Sequence, residues 1–228
     1  LDFSDPHFQA LLMVLVKGTK ENDVLARVTV RLLREDELSQ FNLYLQERHY
    51  LESSTLVGQW LRYVAELDGQ WVALLTFSAP ALHLKAREKW IGWTTRQRAR
   101  RLGFVVNNSR FLVLPERKRY PNLASRVLGL ALRRVSSDWQ KLWNHPVLAV
   151  ESFVDESQYR GTCYRACGFE AVGLTEGFGR SSRDFYQEHG QPKQLYLREL
   201  HPGARRRLRQ ARLPEELAAY EADATGPC

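Results

Sequence analysis

Apolar and polar positions along this chain fall into two periodicities, and their alternation predicts a mixed α/β fold. Val28–Leu33 alternates with period two and reads as a strand. Leu61–Glu66 and Trp71–Phe77 are β-rich runs joined by Asp68-Gly69, a hairpin signal, and Pro80 closes the second. Arg110–Leu114 is a short apolar strand ending at Pro115. Val147–Val154, Glu170–Leu174 and Gln194–Leu200 complete the predicted strands.

Between them the spacing turns helical. Glu35–His49 places Leu38, Phe41 and Leu45 on one face, with Glu35 and Asp36 in the first turn, where the helix dipole favours anions. Thr94 and Gln97 form a capping box that opens a helix inside a predicted insertion, Trp90–Phe104. Asn122–Val135 carries Ala124, Leu128, Ala131, Leu132 and Val135 on its apolar face. Ser157–Cys167 is expected to be a helix stopped by Gly168. Gly161 falls inside it and implies a close approach by another backbone or a ligand. The polar stretch Gly177–Gln191 reads as a loop. Residues 1–27 have no clear pattern, and 203–228 read as a charged helical appendage or linker.

The composition is that of a globular domain: 228 residues, 44% hydrophobic and 11% aromatic. The longest apolar run, Ala10–Val16, is far short of the ~20 residues a membrane helix needs. No membrane contact and a cytoplasmic location are expected. Three cysteines, two of them Cys163 and Cys167, do not suggest a disulfide framework. No neighbouring His or Cys gives them zinc-ligand spacing. Cys163 as a nucleophile would need His49 or His145 as its base.

Charge changes the picture. Lys+Arg number 33 against 26 Asp+Glu, a net +7. The stretch from Lys85 to Arg119 holds eleven basic residues and only Glu88 and Glu116 in opposition. Trp90, Trp93, Phe104 and Tyr120 are interleaved with them. Cations that neutralise phosphates, beside rings that stack on bases, form a nucleic-acid footprint. The residues expected to carry it are Arg96, Arg98, Arg100, Arg101, Arg110, Arg117, Lys118 and Arg119. A second basic cluster runs from Arg205 to Arg212. Asn107, Asn108 and Arg110 either pair with a phosphate or carboxylate or cap a turn.

The predicted order of elements, together with Tyr164-Arg165-Ala166-Cys167-Gly168-Phe169, resembles the GNAT acyl-CoA N-acyltransferases, whose Tyr-x-x-x-Gly-Phe segment this matches. The resemblance implies a largely antiparallel mixed sheet flanked by helices, here with a basic helical insertion at 85–108. The family's phosphate-binding turn is matched only by Arg119-Tyr120-Pro121-Asn122-Leu123-Ala124. Asn122 stands where the family has a glycine, and asparagine tolerates a left-handed backbone. Pro121 removes one N–H from the cradle.

A closer resemblance spans about Arg27–Leu200. It rests on His49-Tyr50-Leu51, Trp90-Ile91-Gly92-Trp93, Asn107 to Leu112, Pro121 to Ser125, Asp138-Trp139, Glu151 to Asp155 and Gly161 to Tyr164. These residues resemble the DruA family of the Druantia anti-phage system, whose relatives are also attached to DDE transposases. The resemblance implies a 28–200 domain in a defence or mobile-element protein, between an N-terminal extension (1–27) and a charged tail (201–228). Partners among other defence-system or transposase components follow from it.

Three functions are open. The first is nucleic-acid binding through the basic surface. The second, implied by the GNAT resemblance, is acyl transfer. Acetyl-CoA would lie between the Arg110 and Val147 strands, its pyrophosphate at Arg119, Asn122, Ala124 and Ser125. Tyr164 would be general acid and Glu151 base. The third is a metal-dependent phosphodiesterase using Glu151, Asp155 and Asp138. Glu151 and Asp155 share a strand face but lie ~13 Å apart, too far to hold one metal pair directly.

Overall fold

Asp68 and Gly69 both adopt positive φ, 52° and 78°, so their two-residue turn has the twist a β-hairpin needs. It joins β2 (Trp60–Leu67) to β3 (Gln70–Ser78) in register Leu67↔Gln70. The computed structural model describes residues 23–51, 56, 58–115, 119–176, 178–180, 186–188 and 192–222. Ala10–Val16, Arg117 and Lys118 lie outside them, as does most of the 1–27 segment.

Seven strands among the described residues form one sheet in the order β1 (Thr29–Leu32), β2, β3, β4 (Val105–Val113), β5 (Ala149–Val154), β9 (Gln194–Glu199), β6 (Glu170–Leu174). Every neighbouring pair is antiparallel except β4 and β5. Two short strands, β7 (Phe178–Arg180) and β8 (Tyr186–Glu188), pair separately where a loop was expected.

One face of the sheet carries Leu61, Tyr63, Ala65, Leu75, Phe77, Val150 and Tyr196. It packs on α4 (Leu123–Leu132), α5 (Val135–Trp143) and α6 (Thr162–Ala166) through Val127, Leu128, Ala131, Trp139 and Tyr164. The single helix expected over Asn122–Val135 ends early, and a second begins at Val135. At this junction the Arg134 guanidinium holds Asp138 at 2.6 Å, while the Tyr63 hydroxyl donates to the same carboxylate at 2.9 Å.

The other face is divided. α1 (Leu38–Arg48) covers Val64 and Leu74 with Phe41 and Leu45. Beyond it, Leu148, Ala149, Leu195 and Leu197 receive Trp90, Ile91, Trp93 and Phe104, from α2 (Lys85–Ile91), α3 (Thr95–Arg101) and their flanks. Helix α2 was not expected. It ends at Gly92 in the left-handed region, and the Thr94–Gln97 capping box then opens α3 as the spacing predicts. Segment 85–108 is therefore a structural layer plus the start of β4.

The tail is also different from expectation. α7 (Ala204–Arg209) and α8 (Glu215–Ala218) bury Ala204, Leu208, Leu213 and Leu217 in the same cluster. Each buried leucine contributes about 2 kcal/mol. Four residues of 201–222 therefore pack into the core of the domain, while most of the segment stays at the surface.

Gly161 is the residue that precedes α6, with φ +63°, and not part of the longer helix expected over 157–167. A Cβ there would stand 2.4 Å from the Tyr196 hydroxyl oxygen, so the implied close approach comes from a tyrosine ring.

Candidate functional site

β4 and β5 pair only at Val105↔Ala149, Val106↔Val150 and Asn107↔Glu151. Both strands continue, but among the described residues their pairing stops there. The cause lies in β4. Its register against β3 jumps from Phe77↔Asn108 to Thr76↔Arg110, leaving Ser109 as an extra residue. A bulge of this kind bends its strand, and here it turns β4 away from β5.

Asn108 and Tyr164 stand at the fork. The Asn108 amide donates to the Thr76 and Arg110 carbonyls at 3.1 and 3.2 Å. Its Oδ1 accepts the Tyr164 hydroxyl at 2.8 Å. The Ser152 hydroxyl donates to the Asn108 carbonyl at 3.2 Å. The Tyr164 ring stacks on Tyr196 at 5.6 Å and meets Phe169 edge-on at 5.2 Å. Burial pushes the Tyr164 hydroxyl well above the usual phenol range, so it is protonated at neutral pH.

The first turn of α4 borders the same face. Asn122 takes the left-handed conformation, φ 58°, as its residue type allows, and its side chain does not cap the helix. Leu123 N–H is used by the Tyr120 carbonyl at 3.3 Å. Ala124 and Ser125 present their N–H groups as first-turn donors, which no intrahelical carbonyl can reach. Arg119 is exposed beside them, 5.4 Å over the Tyr120 ring. Cys167 Sγ donates to the Ser125 carbonyl at 3.2 Å and ties the end of α6 to this turn. The turn that opens α4 and the helix that carries Tyr164 thus lie on one face of the sheet, with Arg119 exposed just before α4.

Glu151 is not part of it. Its side chain is fully buried on the opposite face, where Oε2 accepts from Arg87 Nη1 at 2.9 Å and Oε1 from Ala81 N–H at 2.9 Å. Burial raises its pKa, with Arg87 opposing. It anchors α2 and does not face an incoming amine. Asp138 is held by Arg134 and Tyr63, and Asp155 by Ser157, so the three carboxylates proposed for a metal site are engaged apart from one another. Among the described residues no group of three His, Cys, Asp or Glu converges in a way that could hold a metal. Burial pushes the Cys163 thiol up to about 11, opposite to what a nucleophile needs. His49 accepts from the Leu51 N–H and His145 bonds Gln59, so the recorded partners of both lie away from it.

Among the described residues the expected cations do not form one surface. Arg101 is buried and donates to the Leu208 and Gln210 carbonyls at 2.8 and 2.7 Å, and to Glu221. Arg100 pairs with Glu221 at 2.8 Å, and Arg98 lies 3.8 Å from Glu88. Arg96 is exposed on α3, over one face of the sheet, whereas Arg119 precedes α4 over the other. Three of the expected phosphate contacts thus engage carboxylates, and two of them hold the C-terminal segment in place. Arg101→Ala is expected to cost about 2 kcal/mol and to open 207–222 to limited proteolysis. An unchanged cleavage pattern would refute that role.

Sequence reasoning also missed a group at the open end of the fork: His49, Tyr50, Arg110, Asp155, Tyr159 and Lys193. His49-Tyr50 carried a family signal, but its company comes from three other segments.

Comparison with known proteins follows the same lines. No curated protein matches the sequence. Among solved structures, the aminoglycoside acetyltransferase AAC(6')-Ib in complex with coenzyme A is similar at 16% identity. The match covers 80% of this chain and 99% of that one, with a TM-score of 0.50. The putative acetyltransferase yncA from Salmonella typhimurium is similar at 11% identity over 77% and 95%, with a TM-score of 0.46. The fold is GNAT-like. Residues 11–206 match the family model described as Druantia protein DruA, and the chain belongs to the DruA family.

Proposed function

We propose that this chain is an acyl-CoA-dependent transferase, acting in the defence or mobile-element setting that its family implies. One observation carries the reading: the fork between β4 and β5 is bordered on a single face by a protonated Tyr164 and by the uncapped first turn of α4. These groups would serve both ends of a thioester coenzyme, an anion to be held and a thiolate to be protonated. Arg119 and the N–H groups of Ala124 and Ser125 would hold its pyrophosphate, because helix N-termini and arginine both favour phosphate. Bound acyl-CoA supplies an acyl group on a thiol leaving group. Tyr164 holds its proton at Oη, beside the fork, and is the general acid. Asn108 orients that hydroxyl. The two free cysteines suit a reducing compartment, in keeping with the cytoplasm.

Calorimetry with coenzyme A tests the reading. Binding with a Kd below about 1 mM is expected, weakened about tenfold in Arg119→Ala. Absence of heat at millimolar coenzyme would overturn it.

A further inference from the structure

The second basic cluster takes part in neither the core nor the proposed site. α7 buries Ala204 and Leu208, which puts Arg206 and Arg209, three residues apart, on its outer side, and both are exposed. Arg212, just past the end of α7, is exposed as well. That end of α7 meets the first turn of α3. Gln97 Nε2 donates to the Arg209 and Gln210 carbonyls at 3.1 and 2.8 Å, and Arg101 donates to the Leu208 and Gln210 carbonyls. The Arg209 side chain lies against the turn between α2 and α3, where a Cβ on Gly92 would stand 3.6 Å from Arg209 Cδ. Arg96 precedes Gln97, and Lys89 lies one turn before Gly92; both are exposed.

Cations near a helix C-terminus ordinarily bond its last carbonyls or a neighbouring carboxylate. Here both kinds of partner are occupied. Gln97 and Arg101 hold the carbonyls. Glu199 accepts from the Gly203 and Arg205 N–H groups, Glu170 from Trp90 Nε1, and Glu221 pairs with Arg100 and Arg101. Among the described residues Lys89, Arg96, Arg206, Arg209 and Arg212 enter no ion pair. Glu215 and Glu216, exposed on α8, are the opposing charges nearest in sequence. Five cations against two carboxylates leave this surface positive.

What surrounds the cations selects the partner. A bilayer surface is held by cations together with apolar side chains that enter the headgroup region. No exposed large apolar side chain lies on α2, α3 or α7. A single strand is held by cations together with open aromatic faces on which bases stack. Trp90 and Trp93 are both buried, their Nε1 groups are bound to Glu170 and Glu88, and the Arg205 guanidinium covers the Trp90 ring at 4.3 Å. Guanidinium groups without rings or apolar anchors fit a partner that offers phosphates and keeps its bases paired. We infer that the junction of α3 and α7 binds the phosphate backbone of double-stranded nucleic acid through Arg96, Arg206, Arg209 and Arg212, without reading its sequence. This surface lies over the opposite face of the sheet from Arg119 and stands apart from the transferase reading.

Fluorescence anisotropy of the whole chain with a labelled DNA duplex of about 20 base pairs and arbitrary sequence tests it. At about 50 mM salt a Kd of about 10 µM or below is expected, and affinity should fall about 10²-fold by about 200 mM, as four phosphate contacts require. The combined change Arg206→Gln, Arg209→Gln and Arg212→Gln should weaken binding at least tenfold. It should also reduce the slope of log affinity against log salt by about 2 to 3, because each lost phosphate contact removes about 0.9. Arg96→Gln alone, on a different element, should reduce that slope by about 1. Arg119→Ala should leave duplex affinity within twofold, and the triple change should leave coenzyme A affinity within twofold. The separated single strand should bind several-fold more weakly than the duplex. No duplex binding at about 50 mM salt would overturn the inference, as would a triple variant with native melting and unchanged affinity. A single strand preferred to the duplex, or binding to phosphatidylserine vesicles without binding to the duplex, would overturn it too. Failure of coenzyme A to bind would remove the transferase reading and leave this surface as it stands.

Discussion

Arg87→Ala is expected to destabilise the fold by about 3–5 kcal/mol, the usual consequence of removing one partner from a fully buried ion pair. The Arg87 and Glu151 side chains are both 0% exposed and meet at 2.9 Å. Arg87 also donates to the Ala81 and Leu82 carbonyls at 2.7 and 3.3 Å, so the substitution orphans acceptors on two elements at once. For a chain of this length the melting temperature should fall by roughly 10–15 °C. The pH dependence has a definite sign. Burial raises Glu151, and without Arg87 it rises further. A carboxyl whose folded pKa lies above its unfolded value favours the fold at low pH and weakens it as pH rises through that window. The variant's deficit should therefore be smaller at pH 5 than at pH 8, measured by urea denaturation at both. Glu151→Gln leaves the buried Arg87 cation with only Glu88 as counter-charge and should also destabilise the fold, with no recovery at low pH because arginine cannot shed its charge. Replacing both partners with methionine should recover part of the loss. A deficit under ~1 kcal/mol in Arg87→Ala would show that the pair does not hold α2 to the sheet.

Arg87 marks the limit of what the chain reveals in one dimension. It stands in a run of cations, and arginines are mostly exposed, so the run reads as a surface. It also meets the neighbouring Glu88, but its buried carboxylate partner, Glu151, lies 64 positions away, and nothing in either neighbourhood points to the other. Arg101 is disguised in the same way by Glu221, 120 positions on. The C-terminal leucines, Leu208, Leu213 and Leu217, were hidden among five arginines and taken for a tail. Signals that act within a few residues were readable. Asp68-Gly69 gave its turn, Thr94 and Gln97 their capping box, and Glu170–Leu174 its strand to the residue. Asn122 adopts the left-handed backbone its residue type allows. Tyr164 was found through a motif that also fixes Gly168 and Phe169. Its bond to Asn108 was not, because the partner lies 56 positions away on a strand whose own bulge decides where Asn108 points.

Tyr164→Phe separates the chemistry from the fold. The hydroxyl donates to Asn108 Oδ1 and keeps its proton because burial opposes the phenolate. Burial makes this phenol a weaker acid, so delivery of its proton to a departing thiolate depends on its aim, which the Asn108 bond sets. Loss of the hydroxyl should lower turnover about 10²–10³-fold, the range for a positioned general acid. The proposed coenzyme site lies elsewhere, at Arg119 and the α4 turn, so coenzyme affinity should change less than twofold. The same substitution leaves Asn108 Oδ1 without its donor in a buried setting, which costs about 1–3 kcal/mol of stability. Activity must therefore be read well below the variant's melting point. Asn108→Ala keeps the phenol but frees its orientation. It should retain more turnover than Tyr164→Phe, because the acid is still present though loosely aimed. Should Tyr164→Phe keep more than half of the native rate, Tyr164 is a packing residue between Tyr196 and Phe169, and the proton must come from elsewhere. Should both variants lose turnover equally, the Asn108 bond itself decides whether the proton is delivered, and the bulge in β4 would be a catalytic requirement as well as the cause of the fork.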